Sequence, residues 1–88
     1  MAFLGMDVEQ VQNLSRQLDQ KATDITNMIS TLNSTLQSTE WKGPDADQFR
    51  NDWTSSLSQK LRQVSESLKQ ASQSASRNAR EQQEVANR

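Results

Sequence analysis

Apolar residues fall into two long series separated by a single break. In the first, Val11, Leu18, Ile25 and Leu32 recur every seven residues. Leu14 and Met28 follow members of that set by three, and Ala22, Ile29 and Leu36 by four. Steps of three, four and seven put side chains on one side of an α-helix. A seam with an added flank is broader than one neighbour needs, so this arm faces more than one helix. The second series is Ala46, Phe49, Trp53, Leu57, Leu61, Val64, Leu68, Ala71, Ala75 and Ala79, again stepping by three or four. Its side chains shrink toward the C-terminus, which lets another helix come close there.

The break is Glu40-Trp41-Lys42-Gly43-Pro44, with one of two Trp, one of two Gly and the only Pro. Pro suits the first position of a helix, where its missing N–H is no loss. Gly43 then occupies the cap, and Asp45 and Asp47 lie in the first turn, where the helix dipole favours negative charge. At the other end, Asp7 is placed to cap the first arm, with Gln10 three residues on as its capping-box partner. Met6 and Val11 occupy the two staple positions around that cap. The pattern predicts an all-α chain with one domain over residues 1–88. Helix 1 covers about 7–39, the turn about 40–43 and helix 2 about 44–84, closing an antiparallel two-helix hairpin. The first helix alone extends roughly 48 Å at 1.5 Å per residue.

Folding symmetrically at Trp41 sets Asp7 opposite residues 75–78 and leaves a C-terminal overhang. There Arg77/Glu81, Arg80/Glu84 and Glu84/Arg88 are spaced four apart. Such pairs support a solvated helix, and the overhang is either a simple helix end or a recognition tail. Two helices cannot enclose stripes this wide. The expected remedy is a second hairpin, giving a four-helix bundle. Val11, Leu14, Leu18, Ile25, Met28, Ile29, Leu32, Leu36, Phe49, Trp53, Leu57, Leu61, Val64 and Leu68 form the expected core and dimer face.

Composition narrows the function. Only 32% of residues are apolar, below the roughly 45–50% of a usual domain, as suits thin helices with narrow stripes. The net charge of -1 with interspersed signs offers no footprint for nucleic acid. No run of about 20 apolar residues occurs, so no integral membrane protein is expected. Met1–Met6 lacks the charged and apolar regions of a signal peptide. The chain has no His, Cys or Tyr, which empties most of the catalytic inventory and all Cys/His metal spacings. Asp45 and Asp47 have no third ligand at a suitable spacing. The Ser-rich stretches around Ser55–Ser58 and Ser72–Ser76 are expected on helix exteriors. No enzyme activity and no cofactor are expected.

Trp41-Lys42-Gly43 between two helical arms, in a chain of 88 residues with Phe49 and Trp53 on the second arm, resembles the WXG100 (ESAT-6-like) family. The resemblance covers the whole chain. It implies a small leaderless protein exported to the cell surface or medium by a type VII (ESX) secretion system. It also implies hairpins that pair as homo- or heterodimeric four-helix bundles, and an FtsK/SpoIIIE-like membrane ATPase that recognises a C-terminal tail. Trp41 and Gly43 take the place of the family's turn motif. The Tyr-x-x-x-Asp/Glu signal of many secreted members is missing, and its expected positions fall near Ala75 and Ala79. Either a partner supplies the signal, or a looser one involving Glu81 and Val85 replaces it, or the protein is not exported. An adaptor or chaperone for a larger WXG-like toxin and an intracellular structural coiled coil are the competing readings. The broad stripes and mixed charges favour a homodimer over a heterodimer. Trp41 either plugs the end of the bundle or contacts a partner.

Overall fold

A computed structural model of the chain describes residues 5–86. The N-terminal four residues of the signal-peptide expectation, and Arg88 of the Glu84/Arg88 pair, lie outside the described residues. The chain is an all-α antiparallel hairpin. Helix α1 (Val8–Ser38) forms the first arm. The second arm is continuous and comprises α2 (Pro44–Asp52), a π-helical turn (Trp53–Leu57) and α3 (Ser58–Ala86). The molecule measures 65 × 18 × 14 Å. A helix with its side chains is about 10–12 Å across, so this is a single layer of two helices. Each helix has one neighbour and two flanks at the surface.

Helix α1 starts where the sequence places it. The Asp7 carboxylate accepts the Gln10 backbone N–H at 3.0 Å, satisfying one of the free donors of the first turn. The Gln10 side chain makes no return bond, so the capping box is half formed. The helix ends without a glycine: Thr39 is extended, and the hydroxyls of Ser38 and Thr39 both donate to the Thr35 carbonyl. At the start of α2, Gly43 has φ 118° and ψ 174°, a region essentially reserved for glycine. Its carbonyl accepts the Asp47 N–H at 3.0 Å. An added Cβ meets no atom within 4 Å, so the constraint on this position lies in the backbone and not in packing. Gly43→Ala is expected to lower stability by about 1–3 kcal/mol, measurable as a fall in Tm with unchanged helix content.

The seam between the arms runs through small residues. Ser15, Ala22 and Ile29 on α1 face Ser58, Ser65, Ser72 and Ala79 on α3, and all are buried. The Ser15 hydroxyl donates to the Ser72 carbonyl at 2.8 Å, and the Ser72 hydroxyl returns the bond to the Ser15 carbonyl at 2.7 Å. Ser65 donates to the Ala22 carbonyl at 2.8 Å. A hydroxyl reaches the backbone of another helix only when the two helices lie close, and small side chains allow that. Each such bond adds about 1 kcal/mol, and an unpaired buried hydroxyl would subtract as much or more. Among the described residues no buried side-chain polar atom lacks a partner. The expectation that the Ser-rich stretches lie on helix exteriors is therefore corrected at Ser58 and Ser72. With a single line of contact available, the close approach selects the smallest side chains.

The register is also later than a symmetric fold predicts. Ser15 pairs with Ser72 and Ala22 with Ser65, and extending that alignment sets Asp7 level with Arg80. The non-helical link across Thr39–Gly43 and the extra residue of the π-turn both lie between the paired positions. Among the described residues the salt bridge formed is Lys21–Asp24 at 3.5 Å. The Arg77/Glu81 and Arg80/Glu84 pairs do not close, and Arg77 donates to Ser74 instead. Exposed pairs of long side chains gain too little over water to be held.

Candidate interaction surface

The two flanks of the rod differ in character. In an antiparallel pair, side chains displaced from the seam in the same rotational sense come to the same side. The apolar flank of each arm is displaced in the same sense, so both meet on one face. On α1 it holds half-buried Val11, Leu18 and Ile25 and exposed Leu14, Met28 and Leu32. On the second arm it holds half-buried Leu61 and Leu68 and exposed Leu57 and Val64. Leu14 is 50% exposed and Val64 47%. Such side chains scattered singly are ordinary, whereas these form a row along both helices. The opposite face is polar, with Arg16, Asp19, Gln73, Ser76 and Arg80 beside the Ser15–Ser72 crossing.

Of the expected core residues, Ile29 and Trp53 are buried within the hairpin itself, at 2% and 6% exposure. Leu36 is half-buried at the tip. The line of Ala22, Ile29 and Leu36, a flank in the sequence pattern, lies on or beside the seam once Ser15 is added. The seven-residue series of Val11, Leu18, Ile25 and Leu32 lies next to it, on the open side.

The π-turn keeps the second arm in phase. Ser58 donates its N–H to the Trp53 carbonyl, five residues back, so Trp53 and Ser58 share one side although an α-helix would separate them. The tip residues Ala46 and Trp53 and the stem residues Ser58, Ser65, Ser72 and Ala79 therefore form one line. Trp53 is fixed there by its indole N–H, which donates to the Asn33 side-chain carbonyl at 2.7 Å. Phe49 continues the apolar face into the tip.

At the tip, Trp41 is 42% exposed and Phe49 38%. Their ring centroids are 6.2 Å apart with planes inclined at 42°, within the range of favourable aromatic pairs. Arg50, which no sequence pattern singles out, organises this end. Its Nη1 donates to the Trp41 carbonyl at 2.6 Å, and its Nη2 to the Leu36 and Thr39 carbonyls at 3.2 and 3.1 Å. The same guanidinium lies 5.9 Å from the Trp41 ring centroid. Glu81 and Val85 are exposed near the far end of α3, whereas Ala79 is fully buried in the seam and Ala75 half-buried.

No helix among the described residues is long and apolar enough to cross a membrane. Fold and surface together define a helical hairpin with one open apolar face and an aromatic tip. Comparison with family models, curated proteins and solved structures finds no match to this chain.

Proposed function

We propose that this chain is a WXG100-type interaction protein that pairs with a second copy of itself and is exported by a type VII secretion system. The observation that supports this most is an apolar face running along a rod two helices thick, with Trp41-Lys42-Gly43 at its tip. A second hairpin laid on that face covers both stripes and completes a four-helix bundle. The reading assigns the protein no catalytic step and no cofactor. Its work is done by surfaces, with an FtsK/SpoIIIE-like ATPase as the partner at the membrane and the cell surface or medium as destination.

A second reading is favoured by one feature. Ala79 is fully buried against α1, and with Ala75 it stands where the family's tail signal belongs, so those positions offer nothing to a receptor. A partner that brings its own signal, such as a larger WXG-like protein for which this chain acts as adaptor, accounts for that. Glu81 and Val85 remain the exposed candidates for a looser signal of this chain's own.

Sedimentation equilibrium of the protein expressed alone tests self-pairing. The expected mass is twice the 10.0 kDa of the chain at low micromolar concentration, and a folded monomer there rejects it. Export is tested with a tagged chain in a Gram-positive host with a type VII system, with and without its ATPase. Loss of the extracellular fraction on deleting the ATPase is expected. Retention in the cell with the ATPase present argues for the adaptor, provided co-expression of a partner restores export.

A further inference from the structure

We infer that Arg50 is the positioning residue of the hairpin tip, holding Trp41 in a fixed pose with Phe49 as a second support. The segment joining the two arms has little else to order it. Thr39 is extended, the chain from Glu40 to Lys42 belongs to neither helix nor strand, and Gly43 gives its backbone wide freedom. Helix α1 ends with free carbonyls, as every helix does, and no glycine cap turns the chain back on them. Arg50 fills that role from the opposite arm. Its planar fork reaches three carbonyls, those of Leu36 in the last turn of α1 and of Thr39 and Trp41 beyond it.

Those bonds set the path of the backbone at Trp41, and the ring contact sets the side chain. At 5.9 Å from the ring centroid, the guanidinium is within reach of the electron-rich face of the indole. Phe49 supports the ring 6.2 Å away. The two supports sit on consecutive residues of α2, a rigid element, so the tip inherits the rigidity of the second arm. An exposed Trp held this way has already lost the conformational freedom that binding would otherwise take from it. Lysine does not substitute for this geometry, because a compact ammonium lacks the planar fork that spans separate acceptors and stacks on a ring.

The assignment of a pose to Trp41 stands on geometry alone. Its consequence for export rests on the proposed contact role of the tip. In a Trp53→Phe background Trp41 is the sole indole, and the phenyl ring keeps the seam filled. There Arg50→Gln is expected to raise acrylamide quenching of Trp41 and lower its fluorescence anisotropy while the far-UV CD stays the same. Each charge-assisted bond lost raises the detached population by roughly tenfold. Arg50→Lys falls between the two. Unchanged quenching and anisotropy in Arg50→Gln overturns the inference. NMR of the unmodified protein gives a test that needs no variant. The expected result is Arg50 side-chain protons shifted upfield by the indole ring, with hindered guanidinium rotation, and free-arginine shifts overturn it. Export of Arg50→Gln separates the two claims: a detached Trp41 with undiminished export rejects the tip as the export contact and leaves the positioning role standing.

Discussion

Deleting Gln63 is expected to abolish the cooperative hairpin, whereas deleting Ser55 is expected to leave it folded. Both residues are exposed, both lie on the second arm, and each deletion removes one residue. The difference is where the removed residue sits relative to the π-turn. In α3, losing one residue rotates everything beyond it by about 100° relative to what precedes it. Ser65, Ser72 and Ala79 then leave the seam. Glu66, Gln73 and Arg80 turn into it against Ala22 and Ser15, which leave no room for long side chains and no partner for a buried charge. An isolated buried charge costs several kcal/mol, and a small domain has only about 5–15 kcal/mol in total. The expected result for the Gln63 deletion is a broad, non-cooperative melt.

Within Trp53–Leu57 the geometry is reversed. That turn already holds one residue more than an α-helical turn. Removing Ser55 puts Ser58 four places after Trp53, where an α-helix keeps both on one side. Seam and apolar face survive, and the arm becomes a regular helix. Cooperative melting with the Tm held or raised is expected, read by CD, with an otherwise unchanged amide NMR spectrum away from the turn. A collapse of the Ser55 deletion equal to that of the Gln63 deletion would show that the π-turn does not set the phase.

That comparison also shows what the sequence discloses and what it conceals. The arms, the Asp7 cap and the Gly43-Pro44 helix start follow from local rules, because each depends on neighbours in the chain. The π-turn left a trace too. Phe49, Trp53, Leu57 and Leu61 step by four three times running, and such spacing drifts around an α-helix unless an extra residue is absorbed. The polar seam was harder to see. Ser58, Ser65 and Ser72 repeat every seven residues, as do Ser15, Ala22, Ile29 and Leu36. Ranking positions by hydrophobicity passes over serine. Three of these serines are acceptable inside only because their hydroxyls reach the carbonyls of the other arm, a fact of tertiary geometry. Arg50 left no trace. Its acceptors lie 9, 11 and 14 residues back, and no periodicity links a guanidinium to carbonyls across a turn.

Val64→Glu separates a solvated apolar flank from one that a second hairpin covers. Val64 is 47% exposed in the single hairpin, touches no seam residue's role, and lies between half-buried Leu61 and Leu68 on the open face. If that face met only water, glutamate there would cost little, since surface substitutions stay within about 0.5 kcal/mol and Glu is the better helix former. If a second copy covers it, two-fold symmetry buries the carboxylate twice. Each burial without a cation costs several kcal/mol, enough to shift the association constant by many orders of magnitude. The expected outcome is dissociation in sedimentation equilibrium together with a fall in Tm, because the exposed stripe then has nothing to lie against. Gln63→Glu, one residue away and on the solvated back of α3, is the control and should change neither. Leu18→Ala and Leu61→Ala, half-buried beside the seam, are expected to lower stability by about 2–5 kcal/mol once the bundle closes over them. A Val64→Glu protein with the wild-type mass and melting curve would place that face in solvent, and the proposed pairing would have to use another surface.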